Sequence, residues 1–389
     1  MYKICVVTGT RADYGLLSGT ISALNSSNDF ELQIIASCMH LSAEFGFTYK
    51  EIERDGYVIN EKIEMLCPGD DALSVSKSMG NGVIAFAAAY AKLKPDMIII
   101  LGDRFEALSA AQTAMISNIP IAHIHGGEIT EGAIDESIRH AITKMSNLHF
   151  VSTLEFKRRV IQLGELPERV FVSGAPGIDN IKKMPQITKQ KCEEILNYKF
   201  SKRNFLVTYH PLTIGSFKKD FIDNLLIALN NFSDVGIIFT GSNADVGGKF
   251  ITKKLKLYAS QNGSRVMFSE SLGYDKYLKT LQHVDCVIGN SSSGLLEAPS
   301  FKIPTINIGD RQKGRLRANS IIDCDETVQS IINGIEEGFS DCFKEKLRYT
   351  INPYGDGNAA EIIMQTIRKT NFNDILRKPF YDILDGAIK

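Results

Sequence analysis

Between Leu101 and His140 the chain reads LGDRFEALSAAQTAMISNIPIAHIHGGEITEGAIDESIRH. This stretch sets acids, arginines and histidines just beyond two short apolar runs. The first run, Met97–Leu101, has the length of a buried parallel strand and ends in Gly102-Asp103-Arg104. The second, Ile119–Ile124, ends in His125-Gly126-Gly127-Glu128. Between them Glu106–Ser117 reads as an amphipathic helix, stopped by Asn118 and Pro120. Two neighbouring strands would deliver Asp103, Arg104, His125 and Glu128 to one edge, and open α/β sheets bind ligands beyond the carboxyl ends of their strands. Asp135 with Arg139, and Glu136 with His140, stand one helical turn apart. Taken singly, such residues are helix caps and surface ion pairs. Placed together after two strand ends, they read as a chemical site.

The elements that must position this set follow from length and rhythm. A chain of 389 residues exceeds one ordinary core, so two domains are expected. The hydrophobic fraction of 44% and charged fraction of 23% are those of a soluble globular protein. A net charge of −1 argues against a protein built to coat nucleic acid or an anionic membrane. The opening Met1-Tyr2-Lys3 followed by Ile4-Cys5-Val6-Val7 reads as a strand rather than a secretory signal, and no apolar run approaches the ~20 residues of a membrane helix. The seven cysteines are scattered without a Cys-x-x-Cys pair. Reduced thiols, a cytoplasmic setting and no metal site are therefore expected.

In chain order, Ile4–Val7 is a strand followed by Thr8-Gly9-Thr10-Arg11-Ala12-Asp13-Tyr14-Gly15 and a helix over about Tyr14–Asn25. A glycine turn beside Arg11 at a helix start suits an anion such as a phosphate. It is neither G-x-G-x-x-G nor a P-loop, which weakens nicotinamide and Walker-type readings. Leu32–Ser37 is a strand leading to His40, which could approach the cleft or serve the structure. Val75–Leu93 is a core-packed helix. His149–Ser152, Leu154–Leu163 and Val170–Ser173 complete the half, and Gly174-Ala175-Pro176-Gly177 reads as a joint. This alternation says doubly wound parallel sheet.

Lys182–Lys202 reads as an exposed helix with flanking loops. The rhythm then restarts. Phe205–Tyr209 ends in His210-Pro211, and a helix spans Phe217–Asn230. Val235–Thr240 ends in Gly241-Ser242-Asn243. Helix Phe250–Asn262, strand Val266–Phe268 and helix Asp275–Gln282 follow. Cys286–Ile288 ends in Gly289-Asn290-Ser291-Ser292-Ser293-Gly294, before a helix near Leu295 carrying Glu297. Hydroxyls and glycines at a helix start can cradle a phosphate, whereas a cap alone needs one serine. Thr305–Ile308 leads into Gly309-Asp310-Arg311-Gln312-Lys313-Gly314-Arg315-Leu316-Arg317, four cations within seven residues that could close over a diphosphate or form a solvated loop. If the two edges face one another across a cleft, a nucleotide-sugar fits, with the acids doing chemistry and the second half holding the diphosphate.

Together, Thr8–Tyr14, Gly102-Asp103-Arg104, His123–Glu128 with Asp135–His140, His210-Pro211, Gly289–Gly294 with Glu297, and Gly309–Arg315 resemble the hydrolysing UDP-N-acetylglucosamine 2-epimerases of bacterial sialic acid and capsule synthesis. The resemblance runs from about residue 4 to 320. It implies a GT-B-like fold of two Rossmann-like doubly wound domains, 1–175 and 176–358, with a C-terminal helix at about 360–389 packing back on the first. It also implies loss of UDP with removal of the C2 proton, then rehydration, without metal or nicotinamide cofactor. Asp103 and Asp135 match catalytic acids. Arg11, Arg104, His210, Ser291, Ser292, Glu297 and Arg311 match positions expected to hold UDP, and His210 is counted with the catalytic set as well. Asp13, His40, Glu136, Arg139, Ser242, Asn243, Ser293, Gln312 and Arg315 complete the expected substrate contacts. Some members carry Glu where this chain has His125, with a spacing to the aspartate one residue different. Which of His125 and Glu128 transfers a proton therefore stays open.

Relatives acting on UDP-N,N′-diacetylbacillosamine share these motifs and differ in the sugar pocket. UDP-N-acetylglucosamine is the substrate expected first, the diacetylated sugar second. The rivals are a GT-B glycosyltransferase, which needs an acceptor, and a non-catalytic nucleotide-sugar-binding protein, which would not need Asp103, Glu128 and Asp135 together. A homo-oligomer, dimer or tetramer, is the expected assembly, with no nucleic-acid or membrane partner.

Overall fold

The computed structural model describes residues 1–69, 71–130, 134–211, 220–242 and 248–383. They form two compact units. The first comprises Met1–Glu128, Ile134–Lys182 and Tyr354–Lys389; the second comprises Lys183–Pro353 with a short stretch from Ile129.

In the first unit seven strands, β1 Tyr2–Thr8, β2 Phe30–Ser37, β3 Glu61–Ile63, β4 Met97–Leu101, β5 Ile121–Ile124, β6 Leu148–Val151 and β7 Val170–Val172, pair in the order β3-β2-β1-β4-β5-β6-β7. Each pairing is parallel. The physical basis shows in β1. Ile4 and Val6 face a layer containing Leu17, Ile21 and Leu24. Cys5 and Val7 face the opposite layer, with Phe86, Tyr90 and Ala110. A strand covered on both faces reads as continuous apolar sequence.

The helix Arg11–Asn25 buries Tyr14, Leu17, Ile21 and Leu24 at helical spacing. Each such side chain contributes about 1.5–3 kcal/mol by leaving water. Thr10 and Asp13 form a capping box at its start, which is why it begins earlier than apolar periodicity suggests. The helix Ala359–Lys369 adds Ile363, Met364 and Ile367 to the same layer. Asp179 anchors its first turn, accepting from the Ala359 and Ala360 amides at 2.8 and 2.7 Å.

The second unit repeats the design with β8 Arg203–Thr208, β9 Val235–Thr240, β10 Val266–Ser269, β11 Cys286–Gly289, β12 Thr305–Ile308 and β13 Ile321–Cys324, ordered β10-β9-β8-β11-β12-β13. Both orders reverse direction beside the first strand, between β1 and β4 and between β8 and β11. These are the topological switch points where such sheets bind ligands.

Three expectations change. Gly174–Gly177 is not a break between bodies: Pro176 opens the helix Pro176–Lys183, and the first unit continues to Lys182. Proline suits a first helical position because its missing N–H has no partner there. The terminal helix stops at Lys369 instead of running to 389. Beyond it the Asn371 side chain accepts from the Asn373 amide at 3.1 Å, making a turn in place of helix. Finally, β3 and β13 were not foreseen. β3 is three residues of mixed polarity, too short for a period-two signal.

The segment after that helix lies along the amino ends of β6 and β7. Asn147 and Arg169 donate to the Ile375 carbonyl. Lys378 donates to the Lys144 and Ser146 carbonyls and pairs with buried Glu165. Burial alone would raise the Glu165 pKa, but bonds from His149, Lys144 and Lys378 hold it at about 2. Among the described residues no helix is long and apolar enough to cross a membrane.

Candidate active site

Register brings the loops after β4 and β5 together. Leu101 pairs with Ile124, so Gly102 and His125 lie side by side at the sheet edge. Gly102 takes φ +82°, turning the chain out of β4. His123, buried beneath, donates from Nε2 to the Gly102 carbonyl at 2.8 Å, and its Nδ1 meets the Thr143 hydroxyl at 3.2 Å. Desolvation pushes its pKa down to about 3, so the ring is a neutral strut.

Arg139 organises the acids. Its side chain is 1% exposed and pairs with Asp103, which is 25% exposed. It also donates to the Glu128 carbonyl at 2.8 Å and to Glu136 at 3.1 Å. One guanidinium thus ties the β4 loop, the β5 loop and the helix Ile134–Met145. Arg139, expected among the substrate contacts, is buried and engaged with acids. Glu136 is likewise shared between Arg139 and His140, whose Nε2 lies 3.1 Å away. Asp135, on the same helix, has its pKa raised by burial and then by the nearby Asp103 charge. A carboxyl raised in this way is suited to proton transfer nearer neutral pH.

His125 and Glu128 form a pair. Nδ1 of His125 is bonded to Oε1 of Glu128. Ser152 follows β6, whose Phe150 is in register with Ile124. Its hydroxyl lies 3.3 Å from the same oxygen and 3.4 Å from Nδ1. His125 adopts φ +69°, the left-handed region, and donates its backbone N–H to the Phe150 carbonyl at 3.0 Å.

On the other side of the switch point the picture departs from expectation. The turn after β1 is not an open anion cradle. Thr10 and Asp13 cap the helix reciprocally, at 3.1 and 3.2 Å. Gly9 is packed against the buried Glu106 side chain, where any Cβ would come within 2.5 Å. Glu106 holds Arg104 by its Nε at 2.7 Å. Desolvation, with Glu106 second, lifts the Asp13 pKa to about 7, against the pull of Arg104. Arg11, at the edge, lies 4.0 Å from Glu51. His40 is fully buried, its Nε2 at 3.0 Å from Thr8 Oγ1 and its Nδ1 at 2.8 Å from Thr48 Oγ1. With both ring nitrogens used internally it braces the β1 and β2 ends, which is the structural one of its two readings.

In the second unit Thr208 pairs with Gly289, setting His210 beside Asn290. Asn290 brackets His210: Oδ1 accepts from its N–H at 2.7 Å and Nδ2 donates to its carbonyl at 2.8 Å. The Asn290 carbonyl in turn accepts from Arg311 at 3.2 Å and Gln312 at 2.8 Å. Burial, then Arg311, lowers the His210 pKa to about 3. Ser242 reaches its Nδ1 at 3.4 Å. His210, Arg311, Gln312 and Ser242 are therefore gathered around one asparagine.

Ser291 Oγ accepts from the Ser293 amide at 3.4 Å, and Ser292 makes no capping bond with its side chain. Ser293 Oγ is buried near Tyr277. The helix expected to carry Glu297 is a single turn, Ser293–Leu296, and Glu297 follows it, buried. Of the four cations, Arg317 is taken by Asp323 at 2.6 Å, while Arg315 stays on the loop with its amide on the Gln312 carbonyl at 3.3 Å. Asn243 lies outside the described residues. Among those described, no group of three His, Cys, Asp or Glu could hold a metal ion.

Sequence reasoning passed over Glu106, His123, Ser152, Tyr277 and Asn290. Asn290 stood inside a noted loop, and its asparagine before the serines was the available signal. His123, Ser152 and Tyr277 carried none, because their partners are distant in sequence, and Glu106 read as part of its own helix.

The chain matches the model of the family described as UDP-N-acetylglucosamine 2-epimerase over residues 22–368. It is 44% identical to the GDP/UDP-N,N′-diacetylbacillosamine 2-epimerase (hydrolyzing) of Campylobacter jejuni, covering 98% of this chain and 99% of that one. It is 38% identical to the polysialic acid biosynthesis protein P7 of Escherichia coli, covering 98% of each. Its fold is similar to that of the Neisseria meningitidis UDP-GlcNAc 2-epimerase crystallised with UDP-GlcNAc, with a TM-score of 0.80, 19% identity, and 95% of this chain and 100% of that one covered. The two doubly wound parallel domains are thus GT-B-like in kind, and the chain belongs to the UDP-N-acetylglucosamine 2-epimerase family.

Proposed function

We propose that the chain is a hydrolysing 2-epimerase that converts UDP-N,N′-diacetylbacillosamine and water into UDP and the free 2-epimeric diacetamido sugar. The observation that carries the substrate choice is the 44% identity, over nearly the whole of both chains, to the Campylobacter enzyme of that name. It favours the diacetylated sugar over UDP-N-acetylglucosamine, the substrate expected first. The polysialic acid relative supports the second reading, in which UDP-N-acetylglucosamine yields N-acetylmannosamine.

The site chemistry supports the reaction class. In the first unit a base takes the C2 proton. The C2–H electrons form the C1=C2 bond of a glycal, and the C1–O bond breaks as UDP departs. Water then adds its hydroxyl to C1, and a proton reaches C2 from the opposite face. Asp103 and Asp135, with His125 and Glu128, are the proton-transfer candidates. Arg139 ties Asp103 to the Glu128 backbone carbonyl, His125 is bonded to the Glu128 carboxylate, and the Asp135 pKa is shifted in the useful direction. In the second unit His210, Arg311, Ser291, Ser292 and Glu297 hold UDP, and charge-assisted bonds there stabilise the departing diphosphate. None of these steps calls for a metal or nicotinamide.

The test is incubation of the purified chain with each nucleotide-sugar in the presence of EDTA, in H₂O and D₂O, with products read by NMR. The expected result is UDP and a free 2-epimer carrying deuterium at C2, fastest from the diacetylated substrate. Faster turnover of UDP-N-acetylglucosamine selects the second reading. UDP release only with an acceptor, and retention of the original C2 hydrogen, would return the chain to the glycosyltransferases.

A further inference from the structure

We propose that Nε2 of His125 is the atom that accepts the C2 proton, with Glu128 acting as its positioning carboxylate and Ser152 as the brace between them. The assignment rests on the 2-epimerase reading above and deepens it.

Four observations carry it. A carboxylate only accepts hydrogen bonds, so the bond between Glu128 Oε1 and His125 Nδ1 places the ring proton on Nδ1 and leaves the lone pair on Nε2. Nε2 is buried and has no partner among the described residues, in a side chain that is itself about nine-tenths buried. A buried acceptor left unpaired costs about 1–3 kcal/mol, which a chemical role explains. The backbone of His125 stands at φ +69°. That is a costly conformation for a residue with a side chain, held by the bond to the Phe150 carbonyl and by Glu128. Glu128 is committed elsewhere: its carboxylate faces His125 and Ser152, and its carbonyl accepts from Arg139, the partner of Asp103. This is the arrangement of a base oriented by a third group.

The step balances. The C2–H bond breaks, its pair forms C1=C2, the C1–O pair leaves on UDP, and the proton resides on Nε2. The resulting imidazolium keeps its Nδ1–H on the Glu128 carboxylate, which stabilises the new charge.

The test uses four variants of the full chain, each first checked for UDP affinity by calorimetry. His125→Gly accommodates the positive φ without strain and leaves room for a ring. Its kcat should fall by about 10²–10⁴ with KM nearly unchanged, and added imidazole should restore at least a tenfold part of the loss. His125→Asn, also tolerant of a left-handed backbone, should lose as much without rescue. Glu128→Gln keeps an acceptor for Nδ1–H but no charge, and should lower kcat about tenfold or more at unchanged KM. Glu128→Ala should gain nothing from formate. A His125→Asn enzyme within tenfold of wild type, or recovery of Glu128→Ala by formate, overturns the assignment and makes Glu128 the proton carrier. A wild-type chain that turns over no nucleotide-sugar overturns the epimerase reading beneath it instead.

Discussion

Arg139 and Asp103 form an ion pair in which the cation is sealed from water and the anion keeps a quarter of its side chain exposed. The same guanidinium satisfies the Glu128 carbonyl and Glu136. Burial alone would lower the Arg139 pKa, but the Asp103 and Glu128 charges raise it, so it remains a fixed cation.

Arg139→Gln should therefore leave Asp103 and Glu136 facing each other without the intervening charge, and an unpaired carbonyl at Glu128. Losing one partner of a buried pair costs about 3–5 kcal/mol, and the exposure of Asp103 points to the low end. The expected result is a clear drop in melting temperature together with loss of turnover. Arg139→Lys should recover part of the stability but not the fork geometry. Wild-type melting and turnover in Arg139→Gln would show that the hub carries no weight.

Asp103→Asn is nearly isosteric and keeps one acceptor for Arg139. It should retain UDP affinity by calorimetry and lose most turnover, because the charge needed for proton transfer or its support is gone. Near wild-type turnover would return Asp103 to the role of a loop cap.

Gly289 sits at φ +132°, and a Cβ there would stand 1.9 Å from the Thr208 carbonyl oxygen. That contact is with backbone, so β8 or β11 must shift. Gly289→Ala should destabilise the second unit by roughly 2 kcal/mol or more and displace Asn290 from His210. Unfolding by urea and UDP calorimetry should both respond, and an unaltered UDP affinity would argue against the Asn290 bracket as part of the UDP site.

If the proposed UDP site is right, Arg311→Ala and Ser292→Ala should each weaken UDP binding by up to about 3 kcal/mol, more than they alter the rate of saturated enzyme. Unchanged UDP affinity in both variants would move the nucleotide elsewhere.

The buried histidines set an acid response. His40 and His123 have folded pKa values near 4 and 3, below the ordinary 6.5, because burial disfavours the charged ring. The unfolded chain then binds protons first, so stability should fall as pH drops below about 6.5 and keep falling toward 4. Each ring contributes a slope of up to ~1.4 kcal/mol per pH unit in that window. Glu165, depressed to about 2, adds its own loss only below about 4.5. Urea midpoints of wild type and His40→Gln at pH 7, 5.5 and 4.5 isolate the His40 share of the slope; a difference between the two that does not change with pH would contradict the neutral, buried state of that ring.

What the chain's own order determines is the local structure. Met97–Leu101, Val235–Thr240 and Thr305–Ile308 were legible as strands to the residue, because a short β-branched run between polar turns leaves the backbone few alternatives. Their alternation with helices dictated two doubly wound sheets, and with them which loops lie at a carboxyl edge. The polar assignments were decided otherwise. A side chain's partner is set by sheet order and register, which bring Gly102 beside His125, Ser152 beside Glu128 and Asn290 beside His210 across 20 to 80 residues of sequence. No local periodicity encodes those pairings. Arg139 stood among the expected substrate contacts and His40 had two readings open, and only the packed structure places acids around one and threonines around the other. Glu106 looked like an ordinary first-turn acid until Gly9 proved to be the space it fills. Burial decides the matter, because a buried polar group must find a partner within the protein, and tertiary packing alone selects which one.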